Sequence, residues 1–241
     1  MATKQKNKPG AKPTAPANRG TEIIESSEAL AEQISKTEEF IKKNSLLVYG
    51  ILAAVLLGVA GILGFRYYKE SQNTKAMEEM FQAQFYFEQD SLSLALNGDG
   101  NNFGFIDIID IYGGTAASNL AHYYAGVINL KQGNFDEAID HLTDYSSSDL
   151  LVQSRAYALT GDAYMEKEEY GKAASYYDKA ADRKPTEEFT PGYLMKAGLA
   201  YELAGDVKTA KARYDEVLED YPNSPESSTA KREQMRMAGM M

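Results

Sequence analysis

RAYALTGDAYMEKEEYGKAASYYDKA, residues 155–180, decides the fold, because the segments on either side of it can be laid in register with it. LAHYYAGVINLKQGNFDEAIDHLTDY (residues 120–145) and GYLMKAGLAYELAGDVKTAKARYDEV (residues 192–217) follow the same order of helix, tight turn and helix. Small residues fall in matching columns. Gly126, Gly161 and Gly198 sit in the first helices, and Ala138, Ala173 and Ala210 in the second. The glycines are 35 and 37 residues apart. Such self-similarity marks stacked hairpins, each burying its apolar face on the next. The excess in the second spacing falls in the loop at residues 186–190, where insertion costs little. All seven prolines lie in residues 9–16 or from Pro185 onward, which leaves 17–184 permissive for helix.

These columns resemble the tetratricopeptide repeat, a 34-residue helical hairpin in which small residues bring two helices close together. Tyr164 and Tyr201 in the first helices, Tyr177 and Tyr214 in the second, and Pro185 and Pro222 at the ends of two units also fit. The first unit departs from the pattern, with Asn129 where an aromatic is usual and Leu150 in place of the terminal proline. The resemblance implies an all-α chain with a groove, lined mostly by first helices, that receives a peptide or protein. Its groove positions fall on Tyr123, Val127, Leu130 and Lys131, on Arg155, Asp162 and Met165, and on Met195, Leu199 and Leu203. The same positions can instead be buried between hairpins. The Lys/Asn set with which some members clamp a terminal carboxylate is missing here.

Upstream, 21 consecutive residues from Ser45 to Phe65 carry no charge: SLLVYGILAAVLLGVAGILGF. A helix of that length reaches roughly 30 Å, the thickness of a bilayer core. The core of a cleaved signal is shorter, about 7 to 15 residues, and no A-x-A-like site follows Phe65. Tyr49 near one end and Phe65, Tyr67 and Tyr68 at the other suit the membrane interfaces. Residues 1–44 hold eight Lys and Arg, whereas the next 44 after the span hold Arg66, Lys69 and Lys75, so the N-terminus is expected in the cytosol. Gly50, Ala54 and Gly58 recur every fourth residue, with Gly61 continuing the stripe. That spacing lets two membrane helices pack backbone to backbone.

The expected order is then a disordered basic tail (1–20), an amphipathic cytosolic helix (21–43) and a transmembrane helix (44–66). Membrane-proximal helices with a degenerate hairpin (67–118), three repeats (119–223) and a capping helix (224–241) follow. In the capping helix Ser224 is expected as the cap and Pro225 as the first helical residue. Residues 66–241 carry 17 basic and 29 acidic side chains, a net of −12, which disfavours nucleic acid.

Chemistry is sparse. The chain has no cysteine and two histidines, His122 and His141, both inside the first repeat. Asn97, Asp99 and Asn101 alternate like a calcium loop, but Asn102 takes the place of the central Gly and Ile108 that of the final Glu, so a plain turn is expected. No catalytic residue, metal site or cofactor is assigned. One membrane span, an acidic exterior and a few tetratricopeptide hairpins are similar to the ancillary SecYEG translocon subunit of Gram-negative inner membranes. That resemblance implies a periplasmic scaffold beside the channel, working with a membrane-anchored chaperone; the longer basic tail departs from it. A scaffold of another envelope secretion or outer-membrane assembly machine fits the same residues.

Overall fold

A computed structural model of the protein describes residues 27–239; the expected basic tail at 1–20 lies outside them. The described residues fold entirely into helices and turns, and the chain divides after Phe65 into two compact units.

The first unit holds α1 (Ser27–Lys43) and the apolar half of α2 (Ser45–Glu88). From residue 31 onward α1 is exposed, and Glu32–Lys36 and Glu38–Lys42 form i,i+4 ion pairs along it. Its break from α2 is slight, since Asn44 N–H and side chain both donate to Phe40 C=O. The apolar half of α2 reaches a mean hydropathy of 2.6 with none of that stretch buried, which makes α2 long and apolar enough to cross a membrane.

In the second unit α2 changes character. Ala76, Met80 and Ala83, at i, i+4 and i+7, are fully buried against Phe105, Ile108 and Ala121. Two short helices follow, α3 (Leu92–Asn97) and α4 (Phe105–Ile111). Residues 67–118, where membrane-proximal helices and a degenerate hairpin are expected, hold the second half of α2 with α3 and α4. The loop between α3 and α4 is knotted by Asp99. Its carboxylate accepts from Tyr86 O–H (2.7 Å), from the backbone N–H groups of Asn101 (2.8 Å) and Asn102 (2.7 Å), and from Asn102 Nδ2 (2.9 Å). Those bonds hold Asp99 well below the usual carboxylate range, the tyrosine hydroxyl contributing most. The carboxylate that a cation would need is thus consumed by the turn.

Six helices then form three hairpins: α5 (Ala116–Gln132) with α6 (Phe135–Asp144), α7 (Leu150–Glu166) with α8 (Tyr170–Arg183), and α9 (Thr190–Leu203) with α10 (Val207–Asp220). Each helix packs on the next in chain order, the arrangement of a solenoid. Side chains fix the starts: Thr115 accepts from Ser118 N–H, Asp149 from Leu151 and Val152, and Asp206 from Thr209. The three turns share one geometry. Gly133, Glu168 and Gly205 adopt φ of +81°, +58° and +86°, and the next residue's N–H returns 2.9 Å to Asn129, Tyr164 and Tyr201 C=O in turn.

The last helix, α11 (Ser227–Ala238), packs on α10. It begins later than expected. Ser224 does not cap it: its hydroxyl is buried without a partner, and its N–H closes a turn onto Tyr221 C=O that carries Pro225 outside the helix.

Candidate protein-binding groove

The glycine column explains how the hairpins close. A Cβ placed on Gly126 would stand 2.6 Å from Leu142, on Gly161 2.7 Å from the Tyr177 ring, and on Gly198 2.5 Å from the Tyr214 ring. Each second helix therefore lays a large, buried side chain directly across the backbone of its first helix. Ala138, Ala173 and Ala210, all fully buried, complete the close approach.

This crossing carries Tyr177 through to the far side of α7, where it lines a depression of about 570 Å³ formed along α5, α7 and α9. There its hydroxyl donates to Asp162 Oδ1 (2.7 Å), which also takes Lys196 Nζ (2.7 Å) from α9. Burial first, and then the Asp162 charge, push the Tyr177 phenol far up, so it remains a hydrogen-bond donor. Around this polar knot the walls are Leu130, Phe135, Met165 and Leu199. A second depression of about 470 Å³ shares Lys196 and Leu199 with the first and continues over Met195, Tyr214 and the α11 residues Thr229, Glu233 and Arg236. Together they form one groove with apolar walls and paired charges.

Five of the ten groove positions expected from sequence, Leu130, Lys131, Asp162, Met165 and Leu199, line the first depression, and Met195 joins Leu199 in the second. Tyr123 and Arg155 are brought together elsewhere, near enough for the Arg155 charge to act on the Tyr123 phenol, with the Tyr145 ring 5.2 Å from that of Tyr123. Val127 is half-buried and Leu203 exposed, and neither lines either of these two depressions. Sequence reasoning passed over Phe135, Tyr177, Lys196, Tyr214 and Arg236. The glycine column was the available signal for the two tyrosines, because a side chain crossing a glycine emerges on the opposite face. In the apolar half of α2, a Cβ on Gly50, Gly58 or Gly61 would meet nothing within 4 Å, so those residues make no close approach among the described residues, and Ala54 lies exposed beside them.

Ion pairs tie neighbouring hairpins. Arg213 on α10 straddles Asp178 on α8, with Nε 2.9 Å from Oδ1 and Nη2 3.0 Å from Oδ2, while Tyr201 O–H of α9 donates to Oδ2 at 2.6 Å. Burial and that carboxylate push Tyr201 up to about 12. Residues 130–188 and 193–224 each match a tetratricopeptide-repeat family. The chain carries tetratricopeptide repeats. The first match opens at Leu130, near the end of α5, so the first helix of the first repeat lies mostly outside it. Asn129 accounts for the departure noticed there: in place of an aromatic it is buried, donating to Ala125 C=O and accepting from Asn134 Nδ2 across the turn. No curated protein matches the chain. Among the described residues no group of three or more His, Asp or Glu is placed to hold a metal. The two histidines of the repeat instead meet each other, His122 Nδ1 on α5 lying 3.1 Å from His141 Nδ1 on α6.

Proposed function

We propose that this chain is a non-enzymatic scaffold, anchored in a bacterial inner membrane by residues 45–65, whose periplasmic tetratricopeptide repeats bind proteins at the cell envelope. The observation that carries it is the continuous groove across α5, α7, α9 and α11, whose apolar walls leave Leu199 45% exposed. Tetratricopeptide repeats serve as protein-interaction scaffolds, and a groove of this chemistry suits an extended segment of another chain. The excess of Lys and Arg before the span supports a cytosolic N-terminus, which leaves the acidic repeats outside. Within this class the protein is read as an accessory of the SecYEG translocon that works beside a membrane-anchored chaperone. A scaffold of another envelope machine shares these features and differs in its partners.

Crosslinking in native membranes, followed by identification of the partners, tests this reading. Channel subunits together with a periplasmic chaperone are expected; recovery of components of a different envelope machine, and none of these, would replace the translocon with that machine. Topology is tested separately, helped by the absence of any native thiol. In intact cells a membrane-impermeant thiol reagent is expected to label Ser148→Cys and spare Thr3→Cys, and the opposite pattern would invert the orientation.

A further inference from the structure

The chain has two histidines, both in the first repeat, and the hairpin brings them together. His141 directly precedes Leu142, the side chain that crosses Gly126, and His122 lies one turn before that glycine. The close approach therefore sets imidazole beside imidazole, with ring centroids 5.3 Å apart and Nδ1 3.1 Å from Nδ1. Packing alone does not call for this pair. In the second repeat the same two positions are Tyr157 and Tyr176, whose ring centroids are 6.4 Å apart, and in the third they are Leu194 and Arg213. Two nitrogens each about 2.05 Å from one metal ion stand roughly 2.9 Å apart at a right angle and roughly 3.3 Å apart at the tetrahedral angle. The observed 3.1 Å falls between the two. The carboxylate of Asp144 acts on both rings, and those of Asp140 and Glu137 on His141, so the local field attracts a cation.

We propose that His122 and His141 together chelate a divalent transition-metal ion of the zinc, nickel and copper class through their two Nδ1 atoms. Imidazole suits these ions, whereas magnesium and calcium prefer oxygen. In the neutral pair without the ion, one Nδ1–H donates to the other Nδ1. On binding, that proton moves to Nε2 of its own ring, so both rings present an Nδ1 lone pair and a neutral pair releases no proton. Each ring also turns off the line joining the nitrogens, about a χ2 torsion that is broad in histidine. Among the described residues no third His, Asp or Glu is placed to join them, so water fills the remaining positions, to which the half-buried rings leave access. The ion ties α5 to α6 and binds the folded hairpin alone, so it stabilises the first repeat. This site is independent of what occupies the groove.

The test uses full-length protein in detergent micelles, stripped of metal with a chelator that is then removed, and titrated calorimetrically at pH 7.5 with copper, nickel or zinc chloride. One ion per chain is expected, with copper binding tightest and each ion raising the thermal midpoint. Electron paramagnetic resonance of the copper complex is expected to show coupling to two imidazole nitrogens. His122→Asn and His141→Asn each weaken copper by roughly tenfold or more. A double variant, His122→Tyr with His141→Tyr, copies the phenol pair of the second repeat and so keeps the hairpin packed while removing both ligands. It is expected to retain the helical circular dichroism spectrum and to lose both the ion and the rise in midpoint. Equal copper affinity in wild type and the double variant would place the ion elsewhere on the chain and overturn the proposal. Failure of all three ions to bind wild type would overturn it as well.

Discussion

Two sets of helical glycines in this chain have opposite surroundings. Gly126, Gly161 and Gly198 in the repeats lie under side chains that an added methyl would strike at 2.5–2.7 Å, whereas around Gly50, Gly58 and Gly61 in the apolar half of α2 the space is open. The first set is explained by the chain's own packing, since without these glycines Leu142, Tyr177 and Tyr214 could not cross the first helices. Among the described residues the second set has no such use. A stripe of small residues on an exposed apolar helix suits a second membrane helix, so one set builds the scaffold and the other is read as offered to a partner.

The contrast can be broken by the same substitution made in both places. Gly161→Ala and Gly198→Ala are each expected to cost about 1–3 kcal/mol by overpacking, measured as a fall in the thermal midpoint followed by circular dichroism. Gly58→Ala is expected to leave that midpoint unchanged. A null effect at Gly161 and Gly198 would show that the hairpins do not close through these contacts.

Asp178→Ala probes the coupling between repeats rather than the closure of one. It removes the acceptor shared by Tyr201 and Arg213, whose side chains link α9 and α10 to α8. Partial exposure of the pair limits the expected cost to about 1–2 kcal/mol, with α9 to α11 losing amide-exchange protection before α5 and α6. Uniform loss of protection would mean that the hairpins unfold as one block.

A smaller effect separates the first repeat from the other two. Burial pushes both His122 and His141 below the ordinary value of 6.5, even though Asp144 acts on both in the opposite direction and Asp140 and Glu137 act so on His141. The carboxylates that bear on the rings all lie on α6. With folded values below the unfolded ones, the neutral pair contributes stability fully present above about pH 6.5 and lost as pH falls through the lowered values. A drop in melting temperature of a few degrees between pH 7.5 and 5 is expected, reduced in a His122→Asn, His141→Asn double variant. An identical drop in that variant would assign it to other groups.

Much of the fold could be read because the repeat states it three times. Gly126, Gly161 and Gly198 gave the hairpin register, and Pro185 and Pro222 sit just beyond the ends of α8 and α10. The left-handed turn column was only partly visible, since Glu168 occupies the position that Gly133 and Gly205 fill in the other repeats. Helix α3 escaped notice because six residues give less than two turns of periodicity. The groove was half legible. Positions inherited from first helices located Leu130, Asp162, Met165 and Leu199, but Tyr177 and Tyr214 arrive from second helices by crossing the glycines, which a helix-by-helix reading does not follow. Ser224 failed as a cap because Tyr221 and Pro225 shape a turn around it, a competition between local geometries that the Ser-Pro pair alone does not reveal.

The central claim, that the groove across the repeats is where partners bind, is tested most directly by photo-crosslinking in native membranes with a benzophenone amino acid. It is placed in turn at Leu199, in the groove, and at Ile111, which is 54% exposed on α4. The expected result is discrete adducts from Leu199 and none from Ile111. Adducts of equal intensity from both positions, or from Ile111 alone, would contradict the account.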